Sequence, residues 1–267
     1  MKTLELTSVI NNMQKITLNL LFSKNTVIKN NLNPSAMKKC VLITAILLVA
    51  LATNAQVNDI PIIGNKFTFG VDAGLSLPSS DYGTANAGIS NTENALTGSA
   101  KSGFYYDLYG GFKFSKLFGV MVQYGGNSNS FNTSNLGSSS SASGGYTVAE
   151  YLVGPYLSIT LVKIKIEAKL LGGMVTSNYP TLSFSSYGTS VVDAFQNGSG
   201  FGYCAGAKVK YMLLGGALGI GVGLNYVSSD VKYSGWTETV NGKETSNGPV
   251  KMNIGLVQPT VGLSLDI

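Results

Sequence analysis

Between Lys66 and Pro78 the chain reads "KFTFGVDAGLSLP", in which Phe67, Phe69, Val71, Ala73, Leu75 and Leu77 alternate with Thr68, Gly70, Asp72, Gly74 and Ser76. Period two sustained over this length specifies a β-strand with one apolar face and one small or polar face. A helix would scatter the same residues around its circumference.

The pattern recurs at Gly103 to Phe114, Phe118 to Gly126, Tyr146 to Ile159, Lys163 to Val175, Phe201 to Met212, Ala217 to Ser228 and Val250 to Ile267. Eight strands are therefore expected. In the last of them Val257, Pro259, Val261, Leu263, Leu265 and Ile267 share a phase that Met252, Ile254 and Leu256 do not, which predicts a β-bulge near Leu256. The apolar run Tyr211 to Val227 could be taken for a short membrane helix. However, Gly219, Gly221 and Gly223 recur at period two and Gly215-Gly216 is a turn signal, so a hairpin is expected there.

Connections between these strands alternate in length. Pro78 to Ser102, Asn127 to Gly145, Thr176 to Gly200 and Ser229 to Gly248 are long and polar; Ser115 to Leu117, Thr160 to Val162 and Leu213 to Gly216 are short. Antiparallel strands joined in this order put every short turn at one end and every long loop at the other.

A soluble barrel would bury its apolar face, whereas a membrane barrel turns it to lipid and keeps a polar interior. The polar faces here are mostly Gly, Ser, Thr and Ala, which suits a narrow lumen better than a solvated surface. Aromatic residues on the apolar faces collect near the strand ends. Phe67, Phe69, Phe112, Phe114, Phe118 and Tyr211 fall on the short-turn side, and Phe104, Tyr106, Tyr124, Tyr151, Phe201, Tyr203 and Tyr226 towards the loops. Strands of ten or more residues match the ~9–11 that a tilted strand needs to cross hydrocarbon. The expected architecture is an all-β, eight-stranded, antiparallel up-and-down transmembrane β-barrel, with a soluble ligand-binding barrel as the remaining alternative.

The segment from Met37, "MKKCVLITAILLVALATNAQ", has a basic start, an apolar centre and a small-residue end. It is read as a secretory signal peptide over residues 37–55, cut after Ala55. Residues 1–36 are read as a spurious upstream extension, leaving 56–267 as the barrel domain. Six of the eighteen lysines but only one of the thirteen acids precede residue 56, so the exported part is formally neutral, and no Arg follows residue 55. Nucleic acid is thus not an expected partner. Removing the leader also removes Cys40, so Cys204 stands alone and no internal disulfide can form.

The leader, together with "KFTFGVDAGLSLP", "FYYDLYGGFKF", "YLVGPYLSI", "FGYCAGAKVKYM" and "QPTVGLSLDI", resembles the porin-like outer-membrane β-barrels of Gram-negative bacteria, the small OmpA/OmpX type. The resemblance spans residues 64–267. It implies an outer-membrane location, contact with the lipid bilayer and lipopolysaccharide, and passage through the barrel-assembly machinery. Chains of this family usually end in an aromatic residue that the machinery reads; this one ends in Ile267.

No histidine occurs in the sequence, which removes the usual base of nucleophilic and acid–base catalysis, so no enzyme activity is expected. Cys204, flanked by Gly202 and Gly206, is read as a space-filling lumen residue, and no acid cluster has metal-ligand spacing. No cofactor is expected. What stands out is a set of charges in lumen phase: Asp72, Asp107, Lys113, Glu150, Lys163, Lys165, Glu167, Lys169, Lys208 and Lys210. Five of them, Lys113, Lys163, Lys165, Lys208 and Lys210, are expected at the short-turn mouth. Unpaired charges in so narrow a space are costly, so an ion-pair plug is expected; a basic vestibule admitting small anions, a porin-like channel, is the alternative. The long loops are expected to be solvated, mobile connectors, with an adhesive surface for an extracellular ligand as the sharper alternative.

Overall fold

The computed structural model describes residues 66–84, 88–90, 95–133, 140–186 and 188–267. The expected leader, residues 37–55, and the expected extension, residues 1–36, lie outside the described residues. The first strands are β1 (Phe67–Ser79), β2 (Gly88–Ser90), β3 (Ala95–Thr97), β4 (Ala100–Lys113) and β5 (Phe118–Phe131). Next come β6 (Ser140–Ser143), β7 (Tyr146–Leu161), β8 (Ile164–Asn178), β9 (Thr181–Ser186) and β10 (Thr189–Phe195). The chain ends with β11 (Gly198–Leu213), β12 (Leu218–Tyr233), β13 (Trp236–Val240), β14 (Lys243–Asn247) and β15 (Val250–Asp266).

Eight long strands pair in the order β1-β4-β5-β7-β8-β11-β12-β15, and β1 pairs again with β15, from Thr68↔Asp266 to Ser79↔Gly255. Every one of these pairings is antiparallel, so the sheet closes on itself. The wall has the sidedness expected of a membrane barrel. Val71 is 46% and Leu224 54% exposed on the outside, while Asp107 and Glu150 are 0% exposed inside. Aromatic rings pair around both rims of this apolar band: Phe67 with Phe112 at the short-turn end (5.1 Å between centroids), and Tyr124 with Tyr151 (5.2 Å) towards the loops.

The predicted bulge near Leu256 is absent. Pairing of β12 with β15 runs without a shift from Leu218↔Leu265 to Tyr233↔Val250, and Val250, Met252, Ile254 and Leu256 are buried in the same inward phase as Gln258 and Thr260. The apolar residues change faces because the barrel outgrows its apolar band. Past Leu256 the strands enclose a hydrophobic core, so there the inward row is the apolar one. Tyr82, Tyr146, Tyr179 and Tyr233 fill this core with rings 4.9 Å (Tyr82–Tyr146) and 5.1 Å (Tyr146–Tyr179) apart. Each hydroxyl is satisfied: Tyr82 by Asn129 Oδ1 (3.2 Å), Tyr146 by the Gly98 carbonyl, Tyr179 by the Thr97 carbonyl (2.9 Å) and Tyr233 by Ser177 Oγ (3.0 Å).

The long connections are not mere connectors, contrary to expectation. Three of them build a second sheet in the order β14-β13-β10-β9-β6, while β2 and β3, from the first, extend the edge of β15. The β13–β14 hairpin turns on Asn241 and Gly242, at φ 48° and 82°, the all-positive combination that a tight hairpin turn requires and that Asn-Gly supplies. One face of this sheet carries Leu182, Phe184, Phe195 and Trp236 and packs onto the tyrosine core, with Phe195 4.4 Å from Tyr179 and 5.7 Å from Trp236. The loop end of the barrel therefore carries a folded cap.

Candidate functional site in the barrel lumen

Most lumen lysines gather on β8 and β11, where Glu167 stands between Lys165 and Lys169, and most of the lumen acids lie on other strands. The carboxylates of Asp72 on β1, Asp107 on β4 and Glu150 on β7 lie on one wall, linked by the register Asp72↔Asp107, Asp107↔Gly125 and Gly125↔Glu150. Lysines 165 and 169 on β8 and 208 and 210 on β11 face them from the other wall, in the inward phase that the alternation dictates.

The two walls are stitched together. Lys208 Nζ bonds to Asp72 Oδ1 and also donates to the Tyr109 hydroxyl at 2.9 Å. Lys165 Nζ lies 3.0 Å from Asp266 Oδ2 and 3.1 Å from Glu167 Oε1, and Lys210 Nζ lies 2.8 Å from Glu167 Oε2. The Tyr109 ring lies beneath three ammonium groups, 4.7 Å from Lys208, 5.3 Å from Lys210 and 6.0 Å from Lys169, a position its quadrupole favours. Lys169 heads a further chain of hydrogen bonds: it donates to Gln123 Oε1 (2.5 Å), Gln123 donates to the Tyr105 hydroxyl (3.1 Å), and Tyr105 donates to Asp107 (2.7 Å).

Glu150 draws on neutral partners through one oxygen, and its Oε2 is buried without a hydrogen-bond partner among the described residues. Asn127 Nδ2 and Gln258 Nε2 each donate to its Oε1 at 2.7 Å, and Gln258 also donates to Asn127 Oδ1 at 3.0 Å. Between the walls, a cavity of about 20 Å³ lies among Asp72, Tyr109, Glu167, Lys169, Lys208 and Asn225, which is about the room one water needs.

Of the ten charges expected in the lumen, nine turn inward. Lys163 does not. It is exposed at the tip of the β7–β8 turn, because Leu161↔Ile164 is the last pair of that hairpin and Lys163 falls outside the alternation. Lys113 is half-buried at the short-turn mouth. Sequence reasoning missed Asp266 as a partner of Lys165, although it continues the inward phase of Gln258, Thr260 and Ser264. It also missed the neutral members Tyr105, Tyr109, Gln123, Asn127 and Gln258, whose phase is equally readable. With Asp266 included, the described lumen holds five lysines, 113, 165, 169, 208 and 210, against five acids, 72, 107, 150, 167 and 266. Cys204 is buried, as expected of a filler.

A second charge feature lies in the cap. Asp193 on β10 is directly opposite Glu238 on β13, with Leu182 of β9 on its other side. Burial, and then the neighbouring Glu238, push the Asp193 carboxyl up to about 6.

No family model matches the sequence, and comparison with curated proteins finds no match. Among solved structures the chain is similar to Neisserial surface protein A, at 15% identity over 75% of this chain and 97% of that one, with a TM-score of 0.41. Ail, the attachment invasion locus protein of Yersinia pestis, gives 15% identity over 76% and 100%, with a TM-score of 0.39. A major outer membrane protein from Thermus thermophilus gives 10% over 75% and 99%, with a TM-score of 0.45. On its own strand order and register, the described chain is a closed, eight-stranded antiparallel up-and-down β-barrel with an apolar outer wall and a polar lumen.

Proposed function

We propose that this chain is an exported outer-membrane protein that spans the bilayer as a sealed barrel and acts through the folded cap on its loop side. In this reading the cap faces the cell exterior, among lipopolysaccharide, and the wall serves as its anchor. The observation that carries the sealed reading is the lumen itself: side chains of opposed charge, pinned by ion pairs among Lys165, Glu167, Lys208, Lys210, Asp72 and Asp266, around a cavity of about 20 Å³. The non-enzymatic reading is supported by a sequence without histidine.

The cap gives the surface-interaction role its physical basis. A sheet packed on a tyrosine core presents a fixed outer face, alternating Ser141, Ser183, Val192, Thr239 and Glu244 across neighbouring strands. A preformed surface binds a partner without the ordering cost that a mobile loop would incur. Planar-bilayer recording of the reconstituted barrel tests the sealed lumen. No steady single-channel current is expected; a stable conductance of porin type would replace this reading with that of a narrow channel.

A further inference from the structure

We propose that the short-turn end of the barrel is a docking surface for anionic phospholipid headgroups, an inference that rests on the bilayer-spanning reading above. The turns at this end are built from the wrong residues for bulk water. Val162, 96% exposed, opens the two-residue turn between β7 and β8 at φ 55°, and Leu214, 79% exposed, follows β11 at φ 49°. Glycine or asparagine is the usual occupant of a left-handed turn position, and a β-branched residue there is a conformational outlier. A water-facing turn would gain nothing from either side chain. A turn lying in the headgroup layer gains from both, since each apolar tip continues the surface that lipid already covers.

That continuity is direct. Phe67, Phe112, Phe118 and Tyr211 ring the apolar wall at this end, and Phe114, 65% exposed, carries the apolar surface past them into the β4–β5 turn. Among these apolar tips stand the exposed lysines Lys66, Lys116 and Lys163, whose long stems let the ammonium reach headgroup phosphates while the turn stays at the acyl boundary. The exposed carboxylates among the described residues, Asp230 and Glu244, belong to the loop end, and Asp266, at the short-turn end, is buried against Lys165. The short-turn rim thus combines apolar tips with exposed ammonium groups, the pattern that recognises an anionic leaflet.

The test uses the whole exported barrel in vesicles of phosphatidylcholine mixed with phosphatidylglycerol, followed by measurement of the lipid retained on extraction. Wild type is expected to hold phosphatidylglycerol at roughly tenfold enrichment over its bulk share. The K66Q/K116Q/K163Q variant is expected to hold it at the bulk ratio. A fluorophore on Val162→Cys is expected to be quenched by headgroup spin-labelled lipid and shielded from aqueous iodide. Equal retention of both lipids, or enrichment unchanged in the triple variant, would overturn the proposal, as would free access of iodide to the probe. Flotation keeps the two readings apart: a barrel that fails to float with the vesicles refutes membrane spanning, whereas one that floats without selecting lipid refutes only the headgroup site.

Discussion

Lys165 and Asp266, 101 residues apart in the chain, form a buried ion pair 3.0 Å long that ties β8 to the closing strand across the lumen. The same ammonium also serves Glu167. Removing it in Lys165→Met withdraws the cation from between two buried carboxylates, and breaking such a pair from one side typically costs about 3–5 kcal/mol. The double change Lys165→Met/Asp266→Leu removes the charge on both sides and leaves Glu167 paired with Lys210, so it should recover most of that loss. Heat-modifiable gel mobility measures both: the folded band of the single variant should vanish at a clearly lower temperature than that of the double. Equal losses would mean that the pair does not hold the barrel closed.

Gly70 makes room for Tyr109. A Cβ built at Gly70 would run into the Tyr109 ring, and that ring is the surface on which Lys208 and Lys210 rest. Gly70→Ala should therefore destabilise the barrel by about 1–3 kcal/mol through overpacking. In a Tyr109→Ala background the same change should cost under about 0.5 kcal/mol, because the obstruction has gone. A double-mutant cycle on urea unfolding in micelles checks this, and additive effects would rule out the steric account.

The cap should respond to acid independently of the barrel wall. Asp193 is raised to about 6 in the folded cap, mainly by burial and then by Glu238 opposite, against an ordinary carboxylate value near 4. A raised folded pKa favours the protonated folded form, so this contribution is fully present below about pH 4 and is lost as pH rises through 6. Because Asp193 is only half-buried, solvent screening limits the effect to about 1 kcal/mol. Trp236, the only tryptophan in the sequence, packs in the same cap and reports it selectively. Its fluorescence transition in urea should come at higher denaturant at pH 4.5 than at pH 7.5, and Glu238→Gln should shrink the difference. A transition insensitive to pH would remove Asp193 from the account.

The barrel was legible because period-two alternation of Phe, Val, Leu and Ile is unambiguous when one face meets lipid. The lumen charges were legible for the same reason: once Phe67 is placed outside, Asp72 and Lys208 must point inward. The cap was not legible, because strands such as Thr181 to Ser186 and Trp236 to Val240 carry too few apolar residues for alternation to show. The signal that could have found it was Asn241-Gly242, a hairpin turn in a stretch read as loop. The phase change near Leu256 misled for a related reason. A bulge and an exit from the apolar band produce the same sequence pattern, and only the unbroken register with β12 separates them.

Asn241 and Val162 share left-handed backbone geometry, at φ 48° and 55°, at opposite ends of the molecule. Asn241 suits its place, since its Oδ1 also accepts from the Ser190 backbone N–H at 2.9 Å. Val162 bears the conformational cost, about 1–2 kcal/mol for a side chain with a Cβ in this region, and its 96% exposure leaves little protein contact to offset it. Val162→Asn should therefore raise thermal stability in detergent micelles, where the turn tip is wet, by about 1 kcal/mol. In anionic vesicles the same variant should gain less or lose, because it gives up an apolar contact with the headgroup boundary. Asn241→Ala, by contrast, should lower stability in both media, since it discards both the conformational preference and the hydrogen bond. Thermal unfolding followed by gel mobility in the two media settles the comparison. If Val162→Asn gained equally in micelles and in vesicles, the valine would owe nothing to lipid.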